Sequence, residues 1–417
     1  MNAATDEAGV RPDTDVVIAG GGMVGLTAAC ALAGAGLKVV VVDALAPETD
    51  LAPSYDGRAS AIALGSARVF EGIGLWDGLA HAAEPILDIR VADGHPFRGV
   101  SPLFLHYDHR DVGDEPFGYI IENREIRRAL AVRAAALPNL EILAPARVAG
   151  VTREQYPARA HLEDGRSISA ALVVAADGRN SALRSAAGIR TAQWRYDQKS
   201  IVCTVRHERG HNGVAVELFL PGGPFAMLPM TGGRSNVVWS ERTEQADRML
   251  ALDDAGFLEE LKLRFGDWLG EISLTGPRFA YPLGLIHADR YVDGRLILIG
   301  DAGHAIHPIA GQGLNMGLRD VAALAEVLVD ARRLGLDLGG AATLARYQRW
   351  RRFDNMLLAA VTDGLTRLFS NDVAPLRLAR DLGLAAVNRT PPVKRFLMRH
   401  AMGLVGELPR LVRGEAL

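Results

Sequence analysis

A glycine-rich turn between two apolar segments near the amino terminus constrains the fold most. Residues 14–19 (TDVVIA) predict a buried strand, 26–36 an Ala- and Leu-rich helix, and 38–42 (KVVVV) a second, parallel strand. Gly20, Gly22 and Gly25 form a G-x-G-x-x-G between the first strand and the helix. Such glycines permit a tight turn, close approach of the backbone to a pyrophosphate, and packing of helix on strand. The segment therefore predicts a βαβ dinucleotide-binding unit.

Asp43, which ends the second strand 18 residues after Gly25, narrows the choice of cofactor. An acid at this point can accept hydrogen bonds from a ribose, and its charge would repel a 2′-phosphate. The site thus favours FAD or NAD over NADP. A lone glycine motif could also be an ordinary turn, but here strand, glycines, helix, strand and acid follow in the expected order.

Composition sets the broad class. The 417 residues suffice for two domains, and a net charge of −3 argues against nucleic acid as the main ligand. Two cysteines, Cys30 and Cys203, lie in apolar runs and predict a reducing, cytoplasmic compartment. Val16 to Leu37 contains no charge, but its six glycines argue against a membrane span, and we identify no targeting segment.

Two further strand ends carry motifs. Residues 171–176 (ALVVAA) precede Asp177-Gly178, and 296–299 (LILI) precede Gly300-Asp301. Each alone is an ordinary turn. The order GxGxxG, DGxxSxxR and GDAxHxxxPxxGQGxN resembles the flavoprotein aromatic hydroxylases, the class A monooxygenases. The resemblance implies an α/β fold: a Rossmann-type, glutathione-reductase-like FAD domain, an interrupting antiparallel-sheet substrate domain and a helical carboxy terminus.

The resemblance also implies roles for individual residues. Gly20, Gly22 and Gly25 would hold the FAD pyrophosphate, Asp43 the adenosine ribose and Asp301 the ribityl chain. Asp177 would lie near the pyrophosphate, in a region also used by the pyridine nucleotide. The loop from Pro308 would line the isoalloxazine ring; its implied catalytic residues are His307, Pro308, Gln312 and Gly313, and its implied cofactor contacts are Gly311, Leu314 and Asn315. Backbone N–H groups at that helix start can stabilise negative charge on reduced flavin.

Three residues outside these motifs are weaker candidates. Arg58, in a D-x-R segment, is a candidate cofactor contact or an ordinary surface arginine. Asn123 and Arg124 fall where the family places a flavin-contacting polar side chain, and we take Arg124 as the candidate. His304 and His307 have a spacing that could seat a metal, but no third ligand cluster is evident, so we predict no metal site. The alternative roles are packing near Asp301 for His304 and a polar contact with substrate for His307.

The order of segments predicts a discontinuous FAD domain. We assign it residues 14–84, 119–185 and 286–335. Residues 85–118 and 186–285, which are rich in alternating strand patterns, form the predicted substrate domain. Residues 336–417 form the predicted helical region.

The variant His-Pro-x-Ala-Gly-Gln-Gly from His307 is similar to the ubiquinone-biosynthesis hydroxylases, as are the stretches 347–355, 362–370 and 388–403. That resemblance implies hydroxylation of a polyprenylated phenol: NAD(P)H reduces FAD, and O2 is captured as a C4a-hydroperoxide that transfers oxygen to the ring. Residues 98–115 match no pattern, so the phenol is not identified. The alternatives are a hydroxylase of another aromatic compound, a flavin dehydrogenase or halogenase, and a non-catalytic FAD-binding protein. A homo-oligomer is expected.

The carboxy-terminal tail raises a membrane hypothesis. Residues 389–417 carry six basic and two acidic residues, a net of +4. Apolar residues from Val393 to Leu411 recur at roughly helical spacing. Such a face suits the cytoplasmic surface of an anionic membrane. The alternative is a terminal helix docked on the protein itself or on a second subunit, because apolar helix faces usually pack internally.

Overall fold

The structure is a computed structural model that describes residues 11–46, 58–307, 311–369 and 374–417. The strands are β1 (Thr14–Ala19), β2 (Val39–Val42), β3 (Ala59–Ala63), β4 (Glu84–Pro85), β5 (Asp88–His95), β6 (Gly99–Val100), β7 (Leu105–Asp108), β8 (Gly118–Glu122), β9 (Leu140–Leu143), β10 (Val148–Thr152), β11 (Ala158–Leu162), β12 (Ser167–Ala175), β13 (Thr191–His207), β14 (Val214–Leu220), β15 (Gly223–Met230), β16 (Arg234–Arg242), β17 (Ile272–Leu274), β18 (Phe279–Ala288), β19 (Val292–Asp293), β20 (Leu296–Leu298) and β21 (His304–Ala305). The helices are α1 (Met23–Gly34), α2 (Leu64–Gly72), α3 (Asn123–Ala135), α4 (Ala182–Ala186), α5 (Thr243–Ala251), α6 (Asp254–Phe265), α7 (Gln312–Arg333), α8 (Ala341–Phe369), α9 (Ala374–Asn388), α10 (Pro391–Ala401) and α11 (Arg410–Arg413).

An eight-stranded sheet forms the nucleotide-binding half. Its path is β10-β11-β12-β1-β2-β9; β20 joins β12, and β19 joins β20. The pairs β12–β1, β1–β2, β2–β9 and β12–β20 are parallel. The strands β1 and β2 are almost wholly buried, which is typical of a parallel sheet covered on both faces. Helix α1 packs against α3 and α7, so the predicted βαβ unit lies at the centre of this half.

A ten-stranded, mainly antiparallel sheet forms the other half. Its path is β21-β18-β13-β16-β15-β14-β5-β6, with β17 on β13 and β7 on β5. One face packs under α5 and α6 around Trp239 and Phe257. The opposite face, called here the inner face, carries Ala215 and Phe219 and packs against α2, β8 and the helices α9 and α10. Both faces are therefore covered, and the inner one turns toward the nucleotide-binding half.

A small sheet, β3-β8-β4, lies between the two halves. Ile120 of β8 belongs to the inner-face core, and Ala61 of β3 packs against the same core. Strands from the predicted substrate segments all lie in the ten-stranded sheet, although β21, from a segment assigned to the FAD domain, also pairs with β18 there. The domain boundaries themselves stay a prediction.

The carboxy-terminal region is helical, as predicted, but its tail is not one apolar face. Helix α10 ends at Ala401 and α11 begins at Arg410, so the apolar residues between 393 and 411 belong to two helices and a connection. Leu411 and Val412 are buried against the core of the nucleotide-binding half. Arg410 pairs with Asp330, and Lys394 with Asp111 at 2.8 Å. The expectation of one helical stripe was wrong, and the last segment docks on the chain itself.

No helix among the described residues has both the length and the apolar character needed to cross a bilayer.

Candidate active site

Four strand ends meet at one edge of the eight-stranded sheet. Ala19 pairs with Val42 and with Ala175, and Ala175 pairs with Leu298. The backbone carries this alignment one residue further, because Gly20 N–H donates to the Val42 carbonyl and Ile299 N–H to the Ala175 carbonyl, at 2.8 and 3.0 Å. The motifs that follow these strands are therefore brought together, at the edge where open α/β sheets bind their ligands.

The three glycines of the G-x-G-x-x-G motif have different surroundings. A Cβ on Gly20 (φ 107°) would collide with the Ala176 carbonyl, and one on Gly25 would collide with the Gly20 carbonyl. These two glycines therefore permit strand, turn and helix to pack closely. A Cβ on Gly22 would meet nothing within 4 Å. Gly22 also precedes α1, whose first turn has no side-chain cap, so its N–H groups face an open cradle suited to an anion.

Two acids flank this cradle. Asp43 accepts hydrogen bonds from the backbone N–H of Gly21 and, at 2.7 Å, of Leu45. Asp177 accepts one from Leu183 N–H at 3.2 Å, but its second carboxylate oxygen is buried without any partner. An orphaned buried oxygen is costly, and a hydroxyl or amide of a bound ligand would satisfy it. Both positions fit a dinucleotide.

The Arg184 of the DGxxSxxR motif links two of the strand-end loops. Its guanidinium donates to the carbonyls of Ala302 and Arg179 at 2.9 and 3.0 Å, and the Ser181 side chain caps the start of α4. Arg184 is buried, and burial lowers its pKa. It therefore holds the Asp177 loop against the Asp301 loop, a structural role that the motif alone did not predict.

Asp301 follows β20 at the edge where the four strand ends meet, and the space at this edge is called here the cleft. The Asp301 side chain is exposed, yet protein surrounds it closely enough that burial raises its pKa, while charges on His304, Arg179 and Arg58 act in the opposite direction. A carboxylate that is crowded but still accessible is expected on the floor of a ligand site. Arg58 stacks on the Tyr281 ring, 4.8 Å from its centroid, which connects this cleft to the inner face of the ten-stranded sheet.

Gly311, directly before α7, approaches β3 very closely. Gly311 (φ 60°) has a left-handed backbone, and a Cβ there would lie 2.9 Å from that of Ala61. Asn315 fixes the same contact, because its side chain accepts from Ala63 N–H at 2.9 Å and donates to the Ala61 and Gly311 carbonyls. The Asn315 side chain is thus fully used within the protein. Gln312, Gly313 and Leu314 remain half-buried, and Pro308 lies outside the described residues.

At the start of α3 the structure separates two neighbouring candidates. Arg124 pairs with Glu122 at 2.7 Å and with Glu125 at 3.6 Å, so its charge is engaged within its own segment. Asn123 is buried instead, and its side-chain oxygen accepts from the Ser60 hydroxyl at 2.6 Å, next to Ala61. Of the two, Asn123 is the residue placed against the β3 edge that Gly311 touches.

The His307 side chain is enclosed by the surrounding protein. It is fully buried, neither ring nitrogen has a hydrogen-bond partner, and burial lowers its pKa to about 4. The Tyr196 ring meets it edge-on at 5.4 Å between centroids, and Tyr196 donates to Asp363 of α8 at 2.7 Å. A neutral imidazole with two unsatisfied nitrogens is a polar group prepared for a ligand.

His304 belongs to a different network, one that the sequence did not predict. Its Nε2 lies 2.5 Å from Asp320, which also accepts from Gly300 N–H at 3.0 Å and from Arg351 at 2.9 Å. Asn355 donates to the same carboxylate at 3.0 Å. Burial would raise the pKa of Asp320, but these charges and hydrogen bonds outweigh it and hold the pKa below its usual range. The network anchors the backbone that presents Asp301.

Among the described residues, no group of three or more His, Cys, Asp and Glu side chains could hold a metal ion. The absence of a metal stays a prediction.

The fold and the candidate site are those of a dinucleotide-binding flavoprotein, and comparison with known proteins agrees with this class. The sequence profile described as "FAD binding domain" matches residues 13–352, and the chain belongs to that family. The cofactor FAD, the fold class and the resemblance to flavoprotein monooxygenases are thereby confirmed.

Particular relatives are similar over almost the whole chain. Ubiquinone hydroxylase UbiL of Rhodospirillum rubrum is 55% identical over 406 residues, which cover 97% of this chain and 93% of the relative. The 3-demethoxyubiquinol 3-hydroxylase of Escherichia coli is 34% identical, covering 94% and 99%. The structure of p-nitrophenol 4-monooxygenase PnpA from Pseudomonas putida covers 94% of this chain and 98% of its own, with a TM-score of 0.77 and 22% identity. That likeness supports the fold.

Proposed function

We propose that this chain is an FAD-dependent monooxygenase that hydroxylates the ring of a polyprenylated phenol in ubiquinone biosynthesis, with NAD(P)H as reductant and O2 as oxygen source. The relatives named for ubiquinone hydroxylation support the substrate class. The observation that carries the proposal is the contact of Gly311 with Ala61. It joins Gly311, directly before α7, to the strand that packs on the inner face of the ten-stranded sheet, and this supports a cofactor site and a substrate site that share one cleft.

The described residues fit FAD at one edge of the parallel sheet. Gly22 and the first turn of α1 would hold the pyrophosphate, and Asp43 the adenosine ribose. The buried Asp177 oxygen that lacks a hydrogen bond would accept one from the cofactor near the pyrophosphate, and Asp301 would bind the ribityl chain. Bound FAD supplies the redox chemistry that activates O2. The start of α7, from Gly313, would direct backbone N–H groups toward the negative edge of the reduced ring.

The substrate side of the cleft is apolar. The inner-face core includes Phe219, Met230 and Met398, which would exclude water from the reacting ring. We place His307 beside the substrate, because its neutral imidazole could donate one hydrogen bond and accept another. We also propose Asn123, rather than Arg124, as the α3 residue facing the isoalloxazine, since Arg124 is held by two acids.

The water-insoluble substrate requires access to a bilayer, and we propose that α8 provides it. Phe353, Leu357 and Val361 recur every four residues on one face and are 62%, 51% and 47% exposed. Arg349 and Arg352 are exposed on the same helix. Asp363, two residues beyond Val361, bonds to Tyr196, whose ring meets that of His307. The exposed stripe therefore ends beside the site that would receive the phenol.

Membrane binding is tested by sedimenting the protein with anionic phosphatidylglycerol vesicles. We expect the wild type to bind and a Phe353→Ser, Leu357→Ser, Val361→Ser variant to remain in the supernatant. The matched control changes Val132, which is 69% exposed on α3, to Ser. Equal sedimentation of wild type and triple variant would contradict the proposal. A shift of the triple variant from dimer to monomer without any vesicle binding would assign the stripe to a second copy of the chain.

The biosynthetic role is tested by deleting the gene and identifying the accumulated quinone precursor by mass spectrometry. We expect a precursor that lacks one ring hydroxyl and that disappears when the wild-type gene is restored. Unchanged ubiquinone with no accumulated precursor would contradict the assignment.

A further inference from the structure

Among the described residues, Glu217 is an acidic side chain of the inner face with no charged or hydrogen-bonded partner. Glu217 lies in β14, where alternate residues point to opposite sides of the sheet. Leu218 and Leu220 belong to the core under α5 and α6, whereas Ala215 and Phe219 belong to the inner-face core. Glu217 lies two residues from both Ala215 and Phe219, so its side chain points with theirs to the inner face.

The strands on either side confirm this orientation. Glu217 is paired with Ala226 of β15 and with Val91 of β5. Val91 packs against the inner-face core, and so does Ala61, the residue that Gly311 approaches. Glu217 therefore faces the apolar core against which Ala61, the neighbour of Gly311, also packs.

A carboxylate at this place lowers the stability of the folded protein unless a hydrogen-bond donor satisfies it. Glu217 is half-buried, and burial raises its pKa to about 7 with no charged or hydrogen-bonded partner contributing. Asp93, on the same face of the neighbouring strand β5, is already bonded to Arg380 of α9 at 3.1 and 2.9 Å. An apolar residue of similar size would be more stable at position 217. The glutamate is thus a polar group reserved for a ligand.

Resting on the proposed function, we propose that Glu217 accepts a hydrogen bond from a hydroxyl on the aromatic ring of the substrate, and so selects and orients that ring. The chemistry suits the reaction, because a phenol whose proton is held by a carboxylate releases more electron density into its ring. Electrophilic attack by oxygen needs an electron-rich ring. The inner-face core around Glu217 is apolar, and His307, the other polar group that we place beside the substrate, is a neutral imidazole. The carboxylate of Glu217 is therefore the group that distinguishes a free hydroxyl from an alkylated one.

The test compares 2-prenylphenol, which carries one isoprene unit, with its methyl ether. Binding to the FAD holoenzyme is followed through the change in flavin absorbance. A hydrogen bond to a charged group predicts that the wild type binds the phenol about tenfold or more tightly than the ether. Glu217→Leu should bind both within about twofold of each other, since an apolar side chain cannot accept the bond. Glu217→Gln, which keeps a neutral acceptor, should give an intermediate preference.

The control is Glu259→Gln, because Glu259 is exposed on α6, which covers the opposite face of the same sheet. Glu259→Gln should show the same preference for the phenol over its methyl ether as the wild type. A Leu variant that keeps the full preference for the phenol overturns the proposal; if that variant does not fold, an unchanged preference in the Gln variant overturns it. If the wild-type holoenzyme neither binds nor hydroxylates the phenol, both this proposal and the proposed function fail. Hydroxylation by the wild type with unchanged preference in the variants refutes the role of Glu217 alone.

Discussion

Replacing Asp320 by Asn should destabilise the protein strongly, because the carboxylate is the centre of the buried network behind the Asp301 loop. Asp320 is fully buried and faces the buried guanidinium of Arg351. Removing one partner of a buried ion pair costs about 3–5 kcal/mol. Arg351 keeps its bond to Asp354 at 2.9 Å, which favours the lower end of that range. The loss is large against typical total stabilities of about 5–15 kcal/mol.

This energy can be measured as a melting temperature. An unfolding entropy of about 2.1 cal/mol/K per residue gives roughly 0.9 kcal/mol/K for a chain of this size, so the melting temperature should fall by about 3–6 °C. Asp247→Asn is the matched control, since Asp247 pairs with Lys199 at 2.5 Å on the surface, and should shift it by about 1 °C or less. A melting temperature for Asp320→Asn within about 1 °C of the wild type would refute the reasoning.

The pH dependence of the same variant follows from the lowered pKa of Asp320. A carboxyl whose pKa is lower in the folded than in the unfolded state stabilises the protein fully above its unfolded pKa, and that stability is lost on acidification. The difference between wild type and Asp320→Asn should therefore stay constant from about pH 5 to 8. A difference that disappears within this range would show that another group governs the network.

The remaining predictions concern the cofactor and the histidines. Gly22→Val should fold but purify without flavin, because its side chain enters the open cradle; wild-type flavin content, read from the visible spectrum, would contradict that position. Chelator treatment should leave activity intact and metal analysis should find no stoichiometric metal; zinc or iron at one per chain would overturn the reading of His304 and His307. Because burial lowers the pKa of His307 to about 4, the unfolded chain takes up a proton before the folded one, and stability should fall as pH decreases from about 6.5 toward 4. His307→Phe should reduce that acid sensitivity, measured by urea unfolding. An unchanged pH profile would show that a group other than His307 takes up the proton on unfolding.

The β1–α1–β2 unit could be predicted because its parts are local in sequence. Gly20, Gly22 and Asp43 belong to one strand–turn–helix–strand unit whose spacing alone specifies a dinucleotide. The sequence could not identify Asp320, because its partner Arg351 lies 31 residues further on and no periodic pattern links the two. Glu217 alternates with apolar neighbours and so resembles a solvent-facing residue of a strand; only the packing of the inner face against β8 and the last helices encloses it.

The membrane hypothesis shows a second limit of sequence patterns. The apolar spacing from Val393 to Leu411 resembled one helix. However, helix α10 ends at Ala401 and helix α11 begins only at Arg410, and Leu411 is buried. The stripe on α8 has an equally regular spacing and stays exposed. Spacing identifies a face, whereas tertiary packing decides whether it is covered.

The central claim is that one cleft binds FAD and directs oxygen onto a phenol ring. The most direct test is single turnover of the purified holoenzyme with NAD(P)H, 2-prenylphenol and isotopically labelled O2, followed by mass spectrometry of the product. We expect a product that is hydroxylated on the ring and whose new oxygen atom carries the label. Consumption of NAD(P)H with an unchanged phenol, or a hydroxylated product whose oxygen comes from water, would contradict it.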